Sequence, residues 1–310
     1  MKTLYISDMD GTLLQSDGTL SEYTKEKLNE FYRKNIPFSV ATARSMVSAM
    51  PLLDGVHFAA PIVLMNGVFV YDTETKRAIK YHEIEHSALQ KILDLFYEKN
   101  LHPFMFLYSD DYKLSIKYTK FDNDGMKEFY DMRVDMLDGR FTRTNDLTVI
   151  EKGQHPVYVN YYALPEFLDD VVEKLKDIRE IDFAYYKDSY SDDWLIEIYA
   201  NTASKANGAR EVAEIVGAGS ITAFGDNLND LVMLGGADTA VAVENAVPKV
   251  KEIADGIENA YAANLNSDKQ TVVSGTFDAL EKVEVSKLSN ELDIDMYTLN
   301  DIIESLKQPN

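Results

Sequence analysis

Five short apolar runs constrain this chain most. They are "TLYIS" (3–7), "FSVA" (38–41), "IVLM" (62–65), "ITAF" (221–224) and "AVAV" (240–243). None alternates polar with apolar residues, so each reads as a strand covered on both faces, which is the signature of a parallel sheet between helices. Helical segments at 22–35 and 205–216 supply such cover. The fold class is therefore α/β, with a Rossmann-like parallel sheet at its centre.

Each run ends on a small polar or acidic residue: Asp8, Thr42, Asn66, Asp226 and Glu244-Asn245. In an open parallel sheet these positions share the carboxyl edge, where ligands bind. Taken singly, each also suits a turn or a helix cap. Five together favour one shared site.

The first strand exits into "SDMDGT", which sets Asp8 and Asp10 one residue apart (7–12). Two carboxylates at a buried strand end repel each other unless a cation lies between them. A second acidic cluster, "GDNLND" (225–230), repeats the arrangement with Asp226 and Asp230. Together they offer hard oxygen ligands and no soft ones, the set that suits Mg²⁺. Lys205, at the start of the 205–216 helix, supplies a cation for a phosphate. Thr42 supplies a hydroxyl, and Arg44 lies two residues beyond it. "LLQSDGTL" (13–20) carries an Asp-Gly turn signal and is expected to form a hairpin flap.

Texture changes between about residues 82 and 196, where aromatic residues are dense and helix-strand-strand occurs twice. The helices are expected at 87–100 and 164–178, and the strands at 102–109, 112–118, 182–187 and 193–199, with a further strand at 156–163. This is an α+β module inserted into the first domain. The expected division is 1–82 with 197–275 as the core, 83–196 as the insert, and 276–310 as an acidic helical extension. Tyr108, Tyr161, Tyr186 and Trp194 read mainly as packing within the insert.

The 310 residues carry a net charge of −21, a field that opposes nucleic acid and anionic membranes. Any anion site must then be locally positive, because screening acts within about 8 Å at physiological salt. There is no apolar run of membrane-spanning length, no signal-peptide pattern and no cysteine, which points to a cytoplasmic protein. The sequence leaves the oligomeric state open.

The set of motifs resembles the haloacid dehalogenase (HAD) superfamily. "DMDGT" (8–12), Thr42 in "ATAR", Lys205 and "GDNLND" match its four motifs in order and spacing. The position of the insert, with "LMNG" (64–67) and "ENAVPKVKEIAD" (244–255), is similar to the Cof-like subfamily, whose caps are α+β modules. The likeness spans about residues 1–275; Ala43, Val243-Glu244 and "SDKQTVV" (267–273) depart from the usual pattern.

The resemblance implies a Mg²⁺-dependent phosphatase of small phosphate esters, sugar phosphates among them. Asp8 would be the nucleophile, forming an aspartyl-phosphate, and Asp10 the acid and then base. Asp8, Asp226 and the main-chain carbonyl of Asp10 would hold the metal. Thr42, Lys205, Asn229 and the amides of Met9 and Gly11 would hold phosphoryl oxygens, with Asp230, Arg44, Asn66 and Thr12 in support. A sugar phosphomutase shares the first half-reaction. A phospho-acceptor signalling module gathers Asp, Thr and Lys in a similar way. The first would show bisphosphate-dependent isomerisation, the second a long-lived phosphorylated state.

Overall fold

The computed structural model describes residues 2–134, 140–187 and 193–254. The expected helical extension at 276–310, and the 267–273 segment, lie outside the described residues. Two compact units divide the chain: Met1–Ile79 with the chain from Ser204 onward, and Lys80–Ala203.

The core unit begins with β1 (Thr3–Ser7), α1 (Glu22–Arg33), β2 (Phe38–Val40), α2 (Met46–Ala49), β3 (Ile62–Leu64) and β4 (Phe69–Asp72). Strand β5 (Arg77–Tyr81) follows and crosses the unit boundary. The inserted unit holds α3 (His86–Glu98), β6 (Phe104–Ser109), β7 (Leu114–Tyr118), α4 (Asp124–Val134), β8 (Phe141–Arg143), β9 (Gln154–Ala163), α5 (Pro165–Leu175), β10 (Ile181–Lys187) and β11 (Trp194–Ala200). The core resumes with α6 (Lys205–Val216), β12 (Ser220–Gly225), α7 (Leu231–Gly235), β13 (Thr239–Ala242) and α8 (Pro248–Ile253).

The core sheet runs β13-β12-β1-β2, all parallel, and every residue of β1 is buried. One face of it packs in a cluster that includes Leu4, Ile6, Val63, Val212 and Ala223. Burying side chains of this size contributes roughly 1.5–3 kcal/mol each, which holds the strand ends in fixed positions. The fifth expected strand joins differently. β3 touches the sheet through a single parallel bridge, Ala41 to Val63, and the Thr42 amide donates to the Val63 carbonyl at 3.0 Å. β3 then pairs antiparallel with β4 in a three-stranded sheet completed by β5. The β4–β5 pair is not evident in the sequence because β5, "RAIKY", is almost wholly exposed and shows no apolar run.

The 13–20 segment is a turn, not a hairpin. The Gln15 amide donates to the Thr19 carbonyl at 2.8 Å, and Asp17 binds the Thr19 amide and hydroxyl, so local side-chain bonds replace a strand ladder.

In the inserted unit a six-stranded sheet runs β10-β11-β9-β6-β7-β8. Tyr108 and Tyr161 are buried in it, and the Tyr161 ring meets Phe96 of α3 at 5.5 Å. The unit boundaries fall at 79/80 and 203/204, the second of them just past β11, which continues through Ala200 in this sheet. Helix α4 and strand β8 carry little signal in the sequence: β8 has three residues, and α4, although 11 residues long, buries only Met126 and Phe129 among the described residues.

Candidate active site

The carboxyl edge of the core sheet carries the acidic residues. Asp8 follows β1, and its amide donates to the Phe224 carbonyl of β12 at 2.9 Å, which fixes the residue beside the end of that strand. Its side chain is 7% exposed. Lys205, the first residue of α6, is buried and donates to Asp8 Oδ1 and, at 2.7 Å, to Asp230 Oδ1. The Ser204 hydroxyl caps α6 by accepting from the Asn207 amide at 3.0 Å. The start of this helix is pinned by Gly67, whose φ is +101°; a Cβ there would lie 2.2 Å from the Ser204 carbonyl oxygen. Only glycine allows that approach, so "LMNG" sets the depth of Lys205.

Asp230 is fully buried in the 3₁₀ turn Leu228–Asp230 after β12. Its Oδ2 accepts from the amides of Asp226 (3.0 Å) and Asn227 (3.1 Å), while Oδ1 accepts from Lys205. Both oxygens are thus committed to shaping the turn and aiming the lysine. Asp226 is partly buried and accepts from the Thr12 hydroxyl at 3.0 Å. Ligand atoms of Asp8, Asp226 and Asp230 lie within 4.8 Å of one another.

The charges do not balance: three carboxylates surround one ammonium. Burial, with Asp230 and Asp226 nearby, pushes the Asp8 carboxyl up to about 7, against the downward pull of Lys205. Burial and Asp230 push Asp226 up to about 6. Burial would lower Lys205, but Asp8 and Asp230 outweigh it and hold the ammonium protonated. Among the described residues Asp8 Oδ2 has no partner, so the cluster keeps both negative charge and lone pairs to spare. Such a donor set fits a hard divalent cation. Gly11 is shaped to the same end. Its φ is +80°, and a Cβ there would stand 2.4 Å from Asp226 Oδ2.

Asp10 stands apart from the buried set. Its carboxylate is 52% exposed and is gripped by Arg44, Nε to Oδ2 at 2.8 Å and Nη2 to Oδ1 at 2.7 Å. Its side chain is therefore outside the acidic cluster, and only its main-chain carbonyl remains to serve a cation. The amides of Met9, Asp10 and Gly11 have no partner among the described residues, while the Met9 carbonyl accepts from Leu13 (2.9 Å) and Leu14 (2.8 Å). The loop thus leaves donors available in its first turn.

Thr42 is buried, and its hydroxyl accepts from the Arg44 amide at 3.1 Å, which leaves its own proton to donate. The Asn66 amide donates to the Thr42 carbonyl and the Met65 amide to the Arg44 carbonyl, both at 3.0 Å. Asn66 has a φ of +55°, so its role in the structure is to turn the chain beside Thr42. Asn229 is exposed in the 228–230 turn. One contributor received no role from the sequence: Asn245, past β13, donates from Nδ2 to the Gly11 carbonyl at 2.7 Å. Its position at a strand end was the available signal.

The family profile described as haloacid dehalogenase-like hydrolase matches residues 5–264. The chain is 27% identical over 263 residues to "Putative phosphatase YxeH" of Bacillus subtilis (strain 168), covering 82% of this chain and 92% of that one. It is 27% identical over 255 residues to "5-amino-6-(5-phospho-D-ribitylamino)uracil phosphatase YitU" of the same organism, covering 80% and 88%. Among solved structures, TM0651 from Thermotoga maritima superposes with a TM-score of 0.64 at 27% identity, covering 82% of this chain and 91% of that one. With its parallel sheet, its strand-end acids and a profile match over most of its length, this chain belongs to the haloacid dehalogenase-like hydrolase family.

Proposed function

We propose that the protein is a Mg²⁺-dependent phosphatase of small phosphate monoesters, acting through an aspartyl-phosphate on Asp8. The observation that carries this reading is the surplus of carboxylate around Lys205, at the end of β1, with an oxygen of Asp8 left without a partner among the described residues. Asp8, Asp226 and the Asp10 carbonyl would hold the ion. When bound, Mg²⁺ supplies positive charge that lets a carboxylate approach a phosphate dianion.

The chain's own groups then divide the work. Asp8 attacks phosphorus as the P–O bond to the leaving group breaks. Lys205, the Thr42 hydroxyl and the free amides of Met9 and Gly11 donate to the phosphoryl oxygens. Asp10 protonates the leaving oxygen and later takes a proton from the water that hydrolyses the aspartyl-phosphate. Arg44 positions the Asp10 carboxylate through two bonds and aims it from outside the buried cluster. Asp230 orients Lys205, and Thr12 orients Asp226. Asn245 and Gly11 fix the loop. Asn229 is left as an exposed contact for the substrate.

The substrate class we favour is a sugar or polyol phosphate. The support is that YitU, matched over most of this chain, is named for a phospho-ribityl compound. The test is phosphate release from p-nitrophenyl phosphate and a panel of sugar and polyol phosphates. Hydrolysis that requires Mg²⁺, stops with EDTA and is lost in Asp8→Asn supports the proposal. Full activity in Asp8→Asn, or no release from any ester with Mg²⁺ present, overturns it.

A further inference from the structure

The inserted unit holds a cavity that the chemistry at Asp8 does not use. It has a volume of about 410 Å³ and opens beside the carboxyl ends of β7 and β8. These strands are parallel neighbours, with Tyr118 opposite Arg143, and the Thr144 amide donates to the Tyr118 carbonyl at 2.8 Å. The pairing brings Thr119 and Lys120 from one strand end beside Arg143 and Asn145 from the other. Tyr97 and His102, whose rings lie 5.9 Å apart, form the remaining wall.

The charge of this lining runs against that of the whole chain. The sequence has 52 acidic and 31 basic residues, yet among the described residues the cavity is lined by Lys120 and Arg143 and by no acid. Two carboxylates close by already have partners, and Lys120 is one of them. Asp122 accepts from the His102 amide (2.6 Å), from His102 Nδ1 (3.0 Å) and from the Tyr161 hydroxyl (3.0 Å), and it forms a 3.5 Å ion pair with Lys120, so the uncompensated charge of the lining is that of Arg143. Asp146 accepts from the Thr148 amide (2.8 Å) and hydroxyl (2.7 Å). Arg143 is anchored through Nε to the Thr119 carbonyl at 2.9 Å, and its terminal nitrogens have no partner among the described residues. The Thr119 hydroxyl is buried in the lining and makes no hydrogen bond. A buried hydroxyl without a partner carries a cost that a ligand oxygen would remove.

We propose that this cavity is a second anion site, which takes the phosphoryl group of a small phosphate ester. Lysine, a guanidinium fork, a hydroxyl and an amide suit the several oxygens of a phosphoryl group. The volume exceeds what inorganic phosphate fills and leaves room for an organic part against Tyr97 and His102. This inference stands apart from the reaction proposed at Asp8.

The test uses the full-length protein with EDTA, where the acidic cluster around Lys205 repels anions and hydrolysis is stopped. Calorimetric titration with inorganic phosphate and with ribose 5-phosphate is compared between wild type and Lys120→Ala/Arg143→Ala. Both substitutions are at exposed positions, and unchanged melting checks the fold. The expected result is metal-independent binding of both probes, the ester at least as tight as phosphate, with a loss of about tenfold or more in the double variant. No binding of either probe by about 10 mM overturns the site. Equal binding in the variant also overturns it. An ester that binds about tenfold more weakly than phosphate overturns the assignment to an ester.

Discussion

Both units of this protein bury a carboxylate among cations and hydroxyls, and they treat it differently. In the inserted unit Asp122 receives an amide, an imidazole and a phenol, so its lone pairs are filled. In the core, among the described residues, Asp8 receives only Lys205, and Asp226 only the Thr12 hydroxyl. The filled carboxylate tethers a loop to a strand. The unfilled pair stores unfavourable charge, which is why burial raises both carboxyls, to about 7 and about 6. A carboxylate kept short of partners costs stability and retains the capacity to bind and to attack.

The sharpest way to break this contrast is Asp8→Asn. It should lower kcat on aryl phosphate by about four orders of magnitude, because the nucleophile itself is removed. The metal-free variant should melt no lower than wild type, since an under-compensated charge has gone. A marked fall in its melting temperature would make Asp8 a structural residue like Asp122.

Lys205→Met should lower kcat by about 10³-fold. It should also destabilise the metal-free protein by about 3–5 kcal/mol, as Asp8 and Asp230 lose the buried cation they share. Urea unfolding reads the second effect. Asp122→Asn is the counterpart in the other unit. There a cost of about 1–3 kcal/mol is expected from the displaced donors, with kcat on aryl phosphate unaltered.

pH separates the two carboxylates further. A raised folded-state pKa means that the folded protein binds more protons than the unfolded chain between the ordinary aspartate value, 3.8, and about 7. Stability from Asp8 is therefore present at low pH and is lost as pH rises through that window. Metal-free protein should show a falling contribution to its melting temperature from about pH 4 to pH 7. Mg²⁺ should restore stability at the upper end, where deprotonated ligands are available, and its affinity should rise through pH 6–7. Thermal melts with and without EDTA measure both, and Asp8→Asn should flatten the slope.

The smallest expected effect is that of Asn245→Ala, which removes one bond to the Gly11 carbonyl. A loss of about 1 kcal/mol, read as a several-fold rise in the Mg²⁺ concentration needed for half-maximal rate, is expected.

Much of this was legible in one dimension. Continuous apolar runs specify strands buried on both faces, and a parallel sheet puts all their ends on one edge. The order of the chain therefore groups Asp8, Thr42 and Asp226. Lys205 could be added because a phosphate among acids needs a cation. The β4–β5 pair and β8 were illegible for the opposite reason: exposed or very short strands carry no apolar signature.

Composition and order thus determined which chemical groups stand at the sheet edge, since secondary-structure period and strand direction follow from local sequence. What only the tertiary structure decided is where each group's bonds go. Asp10 turns out to Arg44, while Asp230 spends both oxygens inward on Lys205 and two amides. Lys120 and Arg143 meet across a parallel pair, 23 positions apart in the chain. Those outcomes depend on distances of a few ångströms between residues remote in sequence, and packing alone sets such distances.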